Sequence, residues 1–247
     1  MKNYKLPVIV ALLIITFFTV FVSGCQNDKV FTINESEVEA TLIYKNDFDD
    51  DLNDWQVEQM EGGVVELNNG KLEINDVKGC TVWLKEKFEG AIIIEYDVVI
   101  VQDGGVNDRV SDLNCFWMAT DPENPSNLFE NSKSRGGKFS NYDSLQLYYM
   151  GVGGNHNKTT RFRRYVGNGE RTLLPEHDLS DSKYMLEPNK TYHIKIVANN
   201  DLIQYYRNGQ LLSNFQDDAP YTSGYFGFRT VKNHMTVDNF KVYQIKS

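Results

Sequence analysis

The sequence predicts an all-β fold: two antiparallel sheets packed face to face as a jelly-roll sandwich. Three observations lead there. About ten short runs of β-type residues follow one another without a helical interlude. Fourteen Tyr and fourteen Phe, with many Val and Ile, are residue types that suit pleated, half-buried surfaces. Turn signals punctuate the runs: Asn69-Gly70, Gly167-Asn168-Gly169, Asn199-Asn200-Asp201 and Asn208-Gly209. In chain order the strands fall at 70–74, 81–84, 91–101, 114–119, 142–150, 159–166, 191–198, 202–207, 225–231 and 236–245. Their apolar positions predict Leu145, Leu147, Phe162, Ile194, Ile196, Phe226 and Phe228 in the core. No internal repeat and no second composition regime appears, so one domain is expected.

Before the first strand lies a stretch of a different kind. Lys2 and Lys5 precede an apolar run from Leu6 to Val22, closed by Ser23-Gly24-Cys25. A positive start, an apolar middle and small residues before a cut describe a secretory signal. The cut before a cysteine resembles the bacterial lipobox, which implies acylation of Cys25 and lipid tethering of the mature chain to a membrane. A spanning helix is the competing reading, since about 17 apolar residues lies near the lower limit for crossing a bilayer. Asp28, shortly after the cysteine, resembles the acidic tags of lipoproteins sent to the outer surface, so the expected location is the outer membrane or cell surface. The expected organisation is a signal at 1–24, a flexible tether at 25–40, and the jelly roll at 41–247.

Losing Lys2 and Lys5 moves the formal charge from −9 to −11. That average field argues against nucleic acid and anionic membrane surfaces as partners, while leaving room for a local basic patch. Besides Cys25, only Cys80 and Cys115 remain. Export permits a disulfide between them, but both lie in apolar strand segments where a free buried thiol is common. His156, His177, His193 and His234 are far apart, and no CxxC or HExxH spacing exists, so neither a metal site nor a cofactor is expected. The carboxylates at 47–51 could attract calcium, but they lack an EF-hand pattern and read as a solvated turn.

Two segments are irregular: 102–140 and 173–188. Long loops within compact domains are usually functional or disordered. Between them, period-two alternation over 142–150 places Leu145, Leu147 and Tyr149 on one face, and Tyr142, Ser144, Gln146 and Tyr148 on the other. The apolar face is expected on the core and the polar face on a groove. In the next strand Arg161, Arg163 and Tyr165 share a side, opposite Phe162, Arg164 and Val166. A glycine-rich hairpin at 151–158 would bring Arg161 and Arg163 beside Gln146 and Tyr148. Arg164 then needs a strand end or a carboxylate partner, because an unpaired buried guanidinium is costly.

The later strands carry a resemblance. The segments 191–197, 202–212, 224–229 and 235–242 resemble, in order, the C-terminal half of concanavalin A-like jelly rolls of the laminin-G, glucanase and lyase type. Phe48-Asp-Asp-Asp-Leu-Asn-Asp-Trp55 and Gly70-Lys-Leu-Glu-Ile74 are similar to their opening strands. The segment 142–171 also resembles the central block of lipoproteins from polysaccharide-degrading bacteria. These resemblances imply a carbohydrate partner. The glucanase version uses a strand of alternating carboxylates, and Glu95-Tyr96-Asp97 lacks the second Glu, so a retaining glucanase is disfavoured. The lyase version implies arginine or glutamine to neutralise a uronate and tyrosine or histidine to move protons. On that reading Tyr148, His177 and His234 are candidate catalytic groups, and Tyr142, Gln146, Arg161, Arg163, Tyr165 and Arg229 are candidate substrate contacts. The expected function is therefore cleavage of an acidic polysaccharide or oligosaccharide by β-elimination at the cell surface, and the rival expectation is a non-catalytic protein that captures glycans for uptake.

Overall fold

The computed structural model describes residues 28–246. The expected signal and the Cys25 lipid site lie outside them. Among the described residues the strands are β1 (Asp28–Ile33), β2 (Ser36–Asn46), β3 (Trp55–Gln59), β4 (Val64–Leu67), β5 (Leu72–Asn75) and β6 (Cys80–Glu89). They continue as β7 (Ile92–Ile100), β8 (Leu113–Thr120), β9 (Gln146–Gly153), β10 (Thr159–Val166), β11 (Arg171–Thr172) and β12 (Asp178–Leu179). The last are β13 (Thr191–Asn199), β14 (Leu202–Arg207), β15 (Gln210–Gln216), β16 (Ser223–Thr230) and β17 (His234–Ile245). All pairings are antiparallel. The first sheet runs β1-β2-β17-β7-β13-β14-β15, with β4 and β5 attached through β17. The second runs β11-β10-β9-β8-β16-β6-β3, with β12 beside β10. This is the two-sheet jelly-roll sandwich that the strand pattern predicts.

Three apolar clusters hold it together. The largest lies between the sheets and joins Val82, Leu84, Trp117, Tyr148, Phe162, Phe226 and Phe228 to Ile94, Tyr96, Ile194, Ile196 and Val242. A second, built on Trp83, Phe116, Leu147, Tyr149 and Tyr165, covers the outer face of the second sheet. A third, with Phe31, Ile33, Val197 and Tyr243, covers the outer face of the first. The seven residues predicted for the core are all buried.

The expected tether at 25–40 is corrected from Asp28 onward, where β1 and β2 form a hairpin. Phe31 and Ile33 are buried, and the Phe31 ring meets Tyr243 edge-on at 4.9 Å. The turn residues Asn34 and Glu35 both have positive φ, 48° and 67°. Hairpin turns of that hand usually announce themselves with Asn-Gly. Here glutamate takes the second position, so the turn is illegible.

Cys80 and Cys115 remain free thiols. They sit on β6 and β8, with β16 between them. Two strand spacings are about 10 Å, beyond the Cα separation a disulfide spans.

Candidate functional site

Cross-strand register decides which side chains meet. One row across the outer face of the second sheet reads Thr81, Arg229, Asn114, Gly151, Arg161 and Asp178. The next reads Trp83, Gly227, Phe116, Tyr149 and Arg163. Directly paired residues point the same way, so a polar row lies beside an aromatic one. Residues 121–145 cross the β3 side of this face. Glu58 of β3 holds them there: Arg135 Nη2 donates to Glu58 Oε1 at 2.6 Å and the Tyr142 hydroxyl to Oε2 at 2.6 Å. What stays open is a groove of about 370 Å³ over β8, β9 and β10.

Four arginines from three segments border this groove: Arg109 before β8, Arg161 and Arg163 two residues apart on β10, and Arg171 on β11. Arg109 pairs with Asp112 at 2.5 Å and donates to the Val231 carbonyl. Arg161 forks onto Asp178 at 2.7 and 3.2 Å, and that hydrogen bond holds the Asp178 carboxyl below its usual value. Arg171 stands 3.6 Å from Asp143 and lies over the Phe139 ring. Arg163 donates to the Arg171 carbonyl at 2.7 Å and has no carboxylate partner among the described residues.

Tyr149 supplies the floor. Its ring lies forward along the strand, so that a Cβ on Gly151 would fall 2.2 Å from its hydroxyl. Only glycine leaves room for the phenol there. Burial pushes that phenol well above its ordinary pKa, so it stays protonated at neutral pH. Asn114, Phe139 and His156 also line the groove.

Arg161 and Arg163 therefore share a face, and the hairpin joining them to β9 forms as expected. Their neighbour is Tyr149, not Tyr148. The strand begins at Gln146, not Tyr142, and within it the alternation is correct but its two faces are exchanged, because both sides of β9 are buried and apolarity cannot tell inside from outside. Tyr148 lies between the sheets, donates to Asp217 Oδ2 at 2.6 Å, and has its phenol pushed up by burial. Arg164 meets its predicted need by bonding the same Asp217 oxygen at 2.7 Å.

The other candidates scatter. Gln146 opens β9 with the parity of Tyr148, facing away from the arginine row. Tyr142 precedes the strand in a 3₁₀ turn (Phe139–Tyr142) and is buried on Glu58. Tyr165 shares the arginines' face, but it is fully buried. Arg229 has the right face too, yet it is wholly buried, donating to the Gly137 carbonyl at 2.6 Å. His177 is 4% exposed, edge-on to Phe162, with Nε2 at 3.3 Å from the Asn214 carbonyl. His234 bridges Glu73 at 2.7 Å and Asp108 at 3.0 Å. None of the three proposed proton-transfer groups lines the groove.

Sequence reasoning missed Arg109, Arg171, Asn114 and Tyr149. Asn114 had a signal, a lone amide at the head of the apolar run Cys115-Phe-Trp-Met-Ala119. The two arginines come from irregular or two-residue elements, and only tertiary packing brings them in.

A domain-family model described as a domain of unknown function (DUF6250) matches residues 74–240. No curated protein matches the chain. Solved structures share its fold. A Bacillus subtilis protein of unknown function with a galectin-like fold aligns over 83% of this chain and 96% of its own, at 20% identity and TM-score 0.66. The endo-β-1,3-glucanase of Pyrococcus furiosus aligns over 88% and 98%, at 14% identity and TM-score 0.56. The carbohydrate-binding module CBM66 of Bacillus subtilis aligns over 76% and 94%, at 13% identity and TM-score 0.52.

Proposed function

The chain belongs to the DUF6250 domain family, and we propose that this member is a surface-tethered protein that binds acidic oligosaccharides in the groove over β8, β9 and β10. The observation that carries this reading is the convergence of Arg109, Arg161, Arg163 and Arg171 on one groove of a chain with formal net charge −9. Gathering like charges raises the energy of the empty site, and a docked anion offsets it. A guanidinium presents a planar fork that matches a carboxylate in two parallel hydrogen bonds. Phe139 and Tyr149 add aromatic surface for the apolar faces of a sugar ring. A glucanase and a carbohydrate-binding module among proteins of like fold support a saccharide as the partner.

Binding follows from the state of each arginine. Arg163, without a carboxylate of its own, engages the ligand's anion directly. Arg109, Arg161 and Arg171 arrive paired, so they contribute by sharing or exchanging Asp112, Asp178 and Asp143. Capture is favoured over cleavage because Tyr148, His177 and His234 lie outside the groove. The Tyr149 hydroxyl favours a second reading, a lyase, since it stands in the groove without a hydrogen-bond partner among the described residues.

Calorimetric titration of the soluble domain with oligogalacturonate, alginate fragments and neutral oligosaccharides tests the proposal. Arg163→Gln should weaken acidic ligands about tenfold, some 1.4 kcal/mol, with little change in melting temperature. Equal affinity for neutral chains, or no effect of the substitution, rules the reading out. Release of unsaturated uronate by the wild type, lost in Tyr149→Phe, would decide for the lyase.

Lipid tethering is the second part of the proposal. Cys25→Ser should move the protein from the membrane fraction to the soluble fraction or leave an unprocessed precursor. Unchanged detergent partitioning of a processed mutant counts against it.

A further inference from the structure

Asn114 is 4% exposed, lines the groove, and its side-chain Oδ1 has no hydrogen-bond partner. A buried polar atom without a partner is destabilising, and proteins rarely keep one where an apolar residue of the same shape would fit. Its surroundings on the sheet are an arginine on one side, Arg229, and a glycine on the other, Gly151. Gly151 contributes no side chain to meet the amide; Arg229 donates from Nη1 to Gly137 and Thr81, and its Nε and Nη2, also unpartnered, make no hydrogen bond to Asn114. Among the described residues no donor meets Asn114 Oδ1.

Two strands away stand Arg161, in the same row, and Arg163, in the next. The row separation is about 10 Å across two strand spacings. Between them the floor is the Tyr149 phenol over Gly151. The groove thus has a cationic wall at β10, an aromatic floor, and a neutral amide at β8. A neutral amide offers both a donor and an acceptor, whichever way it is turned. A hydroxyl satisfies either orientation; a second carboxylate satisfies only one.

Resting on the acidic-glycan reading above, we propose that Asn114 is a specificity-determining residue that reads a ring hydroxyl while Arg163 holds the carboxylate of the same sugar. The unit recognised is a hexuronic acid, in which one ring carries the anion and its hydroxyls. A site built to hydrogen-bond a hydroxyl discriminates strongly against an analogue that lacks it, because the buried group is again left unmet.

The experiment compares wild type, Asn114→Leu, Asn114→Ala and Arg163→Gln by NMR titration. The probes are galacturonate, glucuronate, mannuronate and guluronate, with cyclohexanecarboxylate as a six-membered ring bearing a carboxylate and no hydroxyl. Asn114→Leu should weaken the best-bound hexuronate about tenfold or more and leave cyclohexanecarboxylate unchanged. Its melting temperature should rise by a few degrees, since an unmet polar group is replaced by an apolar one. Asn114→Ala gives the same ligand pattern should leucine not be accommodated. Arg163→Gln should weaken both probe types. Hexuronate binding unchanged in both Asn114 variants, or lost together with cyclohexanecarboxylate, overturns the role of Asn114 and leaves the glycan reading standing. A wild type that binds none of the four hexuronates overturns both.

Discussion

Arg161 reaches the groove with its guanidinium already engaged by Asp178, and both partners are partly exposed. An exposed pair of this kind adds little to stability, about 0–1 kcal/mol. Its effect on binding is larger in kind, because Asp178 competes with any carboxylate that docks. Asp178→Asn should therefore strengthen acidic-oligosaccharide binding several-fold while the melting temperature stays near wild type, as read by titration and thermal melting. Weaker binding would mean that Asp178 aims the guanidinium more than it occupies it. At this scale the sequence was informative about identity and side: Arg161 and Arg163 were assigned to one face and a groove. It misplaced Tyr148 because its neighbours on both faces, Leu147, Tyr149 and Met150, are buried. Parity survives such burial; the sense of inside and outside does not.

The insertion at 121–145 is the element that shapes the site. It closes the β3 side of the outer face and sets Phe139 at the groove's edge, where the ring lies 5.6 Å from Tyr149. Its attachment depends on Arg135, 3% exposed, and Glu58, 2% exposed. A buried ion pair is weak evidence for stability in itself, but removing one partner strands the other charge, at about 3–5 kcal/mol. Arg135→Ala should lower stability by that order in urea denaturation and also weaken ligand binding, as Phe139 loses its support. Double replacement of Arg135 and Glu58 by apolar residues should recover part of the stability. Full binding in the single mutant would show that the insertion does not shape the site. The irregular composition around Asp121-Pro-Glu-Asn-Pro125 and Arg135-Gly-Gly137 marked this region as a loop of interest. Nothing local indicated that its arginine would cross to β3, 77 residues earlier in the chain.

For the whole molecule, the two sheets are joined by apolar packing and by a buried polar link near the β9 and β10 strands. Asp217 is the centre of that link. Burial pushes its pKa up, but hydrogen bonds from the Tyr148 hydroxyl, the Ala219 amide and Arg164 outweigh this and leave the value lowered. A lowered folded value means that its stabilisation is complete above the unfolded carboxyl pKa, near 3.9, and fades as pH falls through the folded value. Urea denaturation across acid pH should show the wild type losing stability in that window. Asp217→Asn should be less stable at neutral pH and lose less on acidification; parallel pH curves for the two proteins would contradict the assignment. The sequence by itself determined the all-β sandwich, most strand positions, the hairpin between β9 and β10, and the shared side of Arg161 and Arg163. Those depend on period, turn chemistry and nearest neighbours along the chain. Only the tertiary structure decided that β1 and β2 fold onto the sandwich, that Tyr149 and not Tyr148 faces the arginines, and that Arg109, Arg171 and Asn114 join them. Those outcomes depend on cross-strand register and on which surfaces the insertion covers, and contacts between residues distant in sequence leave no local pattern to read.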